Sequence, residues 1–214
     1  MNRVILSAST DETILAVTRQ HKLVDLEIEQ QINTEIVGCI YKGVVKNIFV
    51  DIGIGKNAFL RRKDLLNEKR FPTEGSPILA QVIKSDTDMK GALITEKISM
   101  FGKYAVTLSG TGYIGVSKKI RQESVRKRLK EIGKEICAEH MGLIIRTAAE
   151  NADMDEFRKD ITRLKENWDI IQKRFRMEKS PTLLYRESDI IVKALRDYVN
   201  KGTEILITDN RKIY

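Results

Sequence analysis

Residues 3–30 alternate. In LVDLEIEQ, Val24, Leu26 and Ile28 fall on one side of an extended chain, and Asp25, Glu27 and Glu29 fall with Leu23 on the other. That is the two-residue period of a half-buried strand. RVILSAS and TILAVTRQ precede it, and the separators TDE and HK are short enough for hairpins. Three antiparallel strands are predicted. At the other end, residues 188–208 carry a helix and a strand. Ser188 suits an N-cap, Ile191, Leu195 and Tyr198 share a face, Gly202 stops the helix, and EILITD follows as a β-rich run. Three strands, a helix and a strand can close into one α/β domain, which makes 31–180 an insertion.

The insertion opens on IVGCIYKGVVKNIFVDIGIGKNAFL, strand-rich and punctuated by Gly43, Gly53 and Gly55. SPILAQVIKSDTDMKGALITEKIS adds two strands around the turn DTDMKG. Short strands, glycine turns and lysines suggest a small barrel; a plain meander is the alternative. FGKYAVTLSGTGYIGVSKKI gives two more strands. Over 152–178 the periodicity changes. Met154, Phe157, Ile161, Leu164, Trp168, Ile171 and Phe175 recur at spacings of three and four, one continuous helical stripe. Asp153 with Glu156 resembles a capping box, and Pro181 ends the region. The stripe is under four heptads long, so packing within its own domain is expected over a coiled coil.

Composition narrows the classes. The chain has 214 residues, 42% of them hydrophobic, enough for one large domain or a few small ones. Lys and Arg number 38 against 30 Asp and Glu, a net charge of +8, which favours a polyanionic partner. Lys118, Lys119, Arg121, Arg126, Lys127, Arg128 and Lys130 are opposed locally only by Glu123; they form a solvated helix face or a nucleic-acid contact. Cys39 and Cys137 stand alone, giving neither a disulfide framework nor a metal motif, which fits a reducing cytosol. His21 and His140 are isolated as well. No apolar run has the length of a membrane span or signal peptide, so a soluble, cytoplasmic protein is expected.

The candidate chemistry lies in GLIIRTAAEN. Leu143, Ile144 and Ile145 read as a buried strand that ends on Arg146 and Thr147. Strands commonly end in polar residues. A guanidinium beside a hydroxyl also makes an anion site, with a bidentate contact from the first and one donor from the second.

Taken in order, IYKGVVKNI, FVDIGIGKNAFL, MKGALITEKIS, FGKYAV, YIGVSKKI, MGLIIRTA, RLKENWDIIQ and YRESDIIVKALRDYV followed by EILITDN resemble the ribonuclease E/G family across essentially the whole chain. The resemblance implies a multi-subdomain α+β fold. Residues 1–35 and 182–214 would be the two segments of a split RNase-H-like subdomain. Residues 36–98 would be an OB-fold barrel of the ribosomal-protein S-one type, and 99–181 a sensor of the RNA 5′-monophosphate. It implies that Arg146, Thr147, Gly102 and Val106 bind the terminal phosphate, and that Phe49, Phe59 and Lys90 contact single-stranded RNA. Lys118 and Lys119 extend the RNA contacts expected from the basic run. Stacking on rings and tracking of phosphates by cations is how such barrels hold single strands.

The function implied is the RNA-binding and 5′-end-sensing portion of a single-strand-specific endoribonuclease of RNA processing and mRNA decay. A stand-alone, non-catalytic RNA-binding protein is the alternative. No residue here is assigned to catalysis or to a metal. The family's catalytic aspartates, its magnesium and the zinc shared between protomers belong to a part that these residues do not match. The chain is therefore expected to be inactive alone, and to be a monomer or weak homo-oligomer. One stretch departs from the family: the interval between KNI and Phe49 is shorter. That predicts a rearranged connection between the first two barrel strands instead of a hairpin.

Overall fold

A computed structural model describes residues 2–9, 12–30, 36–87, 90–137, 141–187, 190–199 and 205–209. The chain divides into two compact units, 1–35 with 188–214, and 36–187. Ser188, Gly202 and His140, singled out in the sequence, lie outside the described residues.

The first unit starts with strands β1 (Asn2–Ala8), β2 (Glu12–Arg19) and β3 (Lys22–Gln30), an antiparallel meander. Gln20 and His21 turn β2 into β3 with φ of 49° and 63°, the backbone that a two-residue hairpin needs. On β2 the side chains of Thr13, Leu15 and Val17 are buried and their neighbours are not, as the alternation requires.

The second unit opens as a barrel. Its strands are β4 (Ile40–Lys46), β5 (Phe49–Asp51), β6 (Ala58–Leu60), β7 (Pro77–Lys84) and β8 (Leu93–Thr95). They run in the order β4-β5-β6-β8-β7, and β7 pairs back onto β4, so the sheet closes. Only β6 and β8 are parallel. A closed five-stranded barrel of this kind is consistent with an OB fold. Val45, Val50, Ala58, Leu60, Ala80 and Ile94 fill its interior. The shortened interval did not remove the first hairpin. Lys46 pairs with Phe49, and Asn47 (φ 63°) with Ile48 makes the turn, because asparagine tolerates the left-handed backbone that a tight hairpin demands.

Next come β9 (Ser99–Phe101), β10 (Ala105–Ser109), β11 (Ile114–Val116), α1 (Glu123–Ile136), β12 (Met141–Ile145) and α2 (Met154–Met177). The sheet order is β11-β12-β10-β9, with β11 parallel to β12 and α1 crossing between them. Thr107, Leu143 and Ile145 face inward and join a core with Leu129 and Ile132 of α1 and Phe157, Ile161, Leu164 and Ile171 of α2. The predicted stripe is thus the buried face of α2. Its cap is half of a capping box. Asp153 accepts from Asp155 N at 2.9 Å and Glu156 N at 3.2 Å, but the Glu156 carboxylate accepts from Tyr104 Oη at 2.6 Å instead of reaching back.

Strand β13 (Thr182–Tyr185) pairs with β4, so this stretch hydrogen-bonds within the second unit. The chain then returns to the first unit as α3 (Ile190–Asp197) and β14 (Ile205–Thr208), the latter parallel to β1. The sheet order there is β14-β1-β2-β3. Helix α3 buries Ile190 and Ala194 against Val4, Leu6, Leu15 and Val17; Leu195, predicted on the buried face, is exposed. Ile191 and Tyr198 of the predicted face pack against this core half-buried, and Ile190 and Ala194 between them take its centre.

Candidate functional site

Two surfaces of the second unit gather the predicted residues. On the barrel, Phe49 and Phe59 are opposite each other across β5 and β6, with ring centroids 5.7 Å apart and tilted by 49°. They are 43% and 36% exposed. Neighbouring positions Val50, Ala58 and Leu60 point inward and are buried, so the strand alternation itself turns both rings out. Lys90 is exposed and heads the segment laid along β6, where Phe59 N donates to Ala92 O at 2.7 Å. Two adjacent rings open to solvent, with a cation two residues before the residue that Phe59 bonds, are what a stacking surface for flat ligands requires.

The second surface is built where β12 ends. Arg146 continues β12 in extended backbone (φ −81°, ψ 162°), and its amide donates to Tyr104 O at 2.8 Å. Its Nη1 donates to Gly102 O at 2.8 Å and to Lys103 O at 3.5 Å. Thr147 begins a short 3-10 turn, Thr147–Ala149, and its exposed hydroxyl lies 2.9 Å from Ser117 Oγ. Ser117 arrives there because β11 runs parallel to β12, and Ser117 N donates to Ile145 O at 2.8 Å. The guanidinium on one side of the end of β12, and on the other the hydroxyl pair with exposed Lys118 and Lys119, make that end of the sheet electropositive and rich in donors for an anion. Val106 is half-buried on β10, opposite Ile144.

Gly102 contributes through its backbone. Its amide donates to Ala105 O at 2.8 Å while its carbonyl holds Arg146. A Cβ at this position would stand inside van der Waals contact with the Asp160 carboxylate. That carboxylate, buried on α2, accepts from Lys103 N at 3.2 Å, Tyr104 N at 2.8 Å and Arg163 Nη2 at 3.0 Å. The loop 102–104 is therefore fixed on one side by Asp160 and grips Arg146 on the other.

Asp160 and Ser117 were not singled out from sequence. Asp160 did leave a signal, a carboxylate one residue before Ile161 on an otherwise apolar stripe. Arg126, counted among the exposed cations, is turned inward. It donates to Ser117 O at 2.7 Å and Ile120 O at 2.9 Å, and so fastens the loop that carries Lys118 and Lys119. Burial and the hydrogen bond to Glu156 push the Tyr104 phenol up to about 12.

Among the described residues no three His, Cys, Asp or Glu side chains come together where a metal could be held. No helix among the described residues is long and apolar enough to cross a membrane.

A model of the Ribonuclease E/G family matches residues 99–214. Ribonuclease G of Escherichia coli (strain K12) is 32% identical over 235 residues, which cover 99% of this chain and 48% of that protein. Ribonuclease G of Haemophilus influenzae is 31% identical, covering 97% and 47%. Ribonuclease E of Buchnera aphidicola (subsp. Schizaphis graminum) is 31% identical, covering 100% and 24%. The chain spans about half the length of these ribonuclease G relatives and about a quarter of that ribonuclease E.

Proposed function

The chain belongs to the ribonuclease E/G family, and from that premise we propose that it is the RNA-binding and 5′-end-sensing portion of a single-strand-specific endoribonuclease. In this reading the barrel, 36–98, stacks bases on Phe49 and Phe59 and neutralises backbone with Lys90. Residues 99–181 sense the 5′ end, with Arg146, Thr147, Gly102 and Val106 around the terminal phosphate and Lys118 and Lys119 beside it. The discontinuous unit, 1–35 with 188–214, is the split RNase-H-like subdomain and serves as scaffold; its second segment starts later than the expected 182 because β13 pairs with β4.

The observation that carries the proposal is the hold on Arg146. Carbonyls of Gly102 and Lys103 hold the guanidinium on the β10 side of the end of β12, and the Ser117–Thr147 hydroxyl pair lies at the same end on the β11 side. A terminal phosphate monoester brings about two negative charges and three acceptor oxygens, a match for a fork of N–H donors with added hydroxyls. A 5′-hydroxyl offers neither.

Short single-stranded oligonucleotides that differ only at the 5′ end test this directly. The chain should prefer the 5′-monophosphate, and Arg146→Ala should erase the preference, at a cost on the order of 1.5–3 kcal/mol. Equal affinity of the unmutated chain for both ends would refute the sensor assignment.

A further inference from the structure

The sheet that carries Arg146 has a second face, opposite its helices, and that face is lined with apolar side chains. Strand pairing puts them in one row. Val106 on β10 is in register with Phe101 on β9 and with Ile144 on β12, and Ile144 is in register with Gly115 on β11. Over Gly115 lies the ring of Tyr113; a Cβ placed there would be 2.7 Å from Cε1. The bare glycine is what lets the ring lie against the sheet. Phe101 is 43% exposed, Ile144 39% and Tyr113 63%. The row spans three inter-strand steps, about 14 Å, with an aromatic ring at each end and aliphatic floor between.

We infer that this row is a stacking platform for the leading bases of a single strand whose 5′ phosphate is held at Arg146. The inference rests on the sensor reading above, and position supports it. Arg146 follows Ile144 by two residues in extended backbone, so both fall on the same face, about 7 Å apart along the strand. A strand anchored there by its phosphate has its first nucleotides over Ile144 and Val106. The row is long enough for two or three extended nucleotides, with Phe101 and Tyr113 as rings for their faces. Sequence-tolerant stacking on exposed sheet aromatics is an established way of holding single strands. The cations at the same end of the sheet, Lys103, Lys118 and Lys119, suit the polyanionic backbone that accompanies those bases. An apolar peptide would gain nothing from them.

Oligonucleotides with 2-aminopurine in the second position, and matched strands whose first two positions are abasic, provide the test. Each is prepared with a 5′ phosphate and with a 5′ hydroxyl. Binding should quench 2-aminopurine fluorescence. Phe101→Ala and Tyr113→Ala should each weaken binding of the normal strand by roughly fivefold or more, relieve the quench, and leave the abasic strand unaffected. Tyr113→Phe, which keeps the ring, should bind as the unmutated chain does. Both rings are substantially exposed, so melting temperatures should hold and report on folding. Equal losses on normal and abasic strands, or an unchanged quench in the alanine variants, would overturn the platform. If phosphate and hydroxyl strands bind alike, the sensor reading falls. The normal-to-abasic comparison on hydroxyl strands then decides stacking by itself.

Discussion

Arg146 is oriented by its own chain before any ligand arrives, and the group that makes this possible sits on α2. The Asp160 carboxylate draws the amides of Lys103 and Tyr104 toward itself, which leaves the carbonyls of Gly102 and Lys103 facing the guanidinium. Asp160→Ala would leave two amides without their acceptor, each costing on the order of 1–3 kcal/mol. It should lower the melting temperature and, in the folded fraction, weaken binding of 5′-phosphorylated RNA more than of 5′-hydroxyl RNA. Calorimetry paired with titration of the two strands measures both effects, and equal weakening of both strands would remove Asp160 from the sensor. At this scale the sequence was partly legible. Arg146 and Thr147 stand out because an apolar run breaks on them. Ser117 does not, because its partner Thr147 is 30 residues away and the two meet only through parallel pairing of β11 with β12. Asp160 was visible as a charged residue on a buried stripe, but its ligands are backbone amides, which no residue pattern displays.

Elements with a strong period were legible, and their ends were less so. The α2 stripe and the β2 alternation read directly into burial, but that of β3 did not: Val24, Leu26 and Ile28, expected on a buried side, are about half exposed, as Leu23 is, because no element among the described residues packs on those side chains. The first barrel hairpin did not, since a shortened connection looks like a defect until Asn47 is seen to accept a left-handed backbone. Likewise the acceptor of Glu156 could not be told from spacing, and Tyr104 replaces the expected backbone amide as its partner. That substitution has a pH signature. Tyr104 binds its proton more tightly folded than unfolded, with its pKa raised from 10.0 to about 12, first by burial and then by Glu156. A raised value adds stability that is complete below pH 10.0 and is lost as pH climbs toward about 12. Thermal melts across that window should fall more steeply for the unmutated chain than for Tyr104→Phe. Parallel curves would mean that the phenol contributes nothing across α2 and its loop.

For the whole molecule, charge and chain order were the legible quantities. A net +8 with exposed Lys127, Arg128, Lys130 and Lys134 on α1 implies counterion release on binding a polyanion. Affinity for single-stranded RNA should fall with salt, with a logarithmic slope of about −0.7 per phosphate neutralised. Four of the carboxylates hold structural partners. Asp51 accepts from Gly53 N, Asp64 pairs with Arg61, Asp153 caps α2, and Asp160 holds its loop. RNA recovered from such a titration in magnesium should therefore be intact. A flat salt response, or metal-dependent cutting that disappears on replacing one of these acids, would contradict the picture. The discontinuous arrangement was foreseeable because the helix and strand read near the far end could complete an α/β unit with the three strands at the start. The face that α3 buries was foreseeable in part, through Ile191 and Tyr198, since a small rotation of an eight-residue helix barely changes its pattern.

The pairing of β1 with β14 also sets a birth order. Ser7 Oγ bonds to Asp209 Oδ2 across a separation of 202 residues. A ribosome adding about 5–20 residues each second takes roughly 10–40 s to cover that interval. Throughout that wait β1 has a bare edge, and the buried side of the meander lacks α3, whereas the barrel closes from strands made within the same stretch. Strands β1–β3 are thus synthesised before the barrel and completed after it. In that interval an exposed edge invites pairing with a neighbouring nascent chain, which makes crowded polysomes a point of vulnerability for this unit.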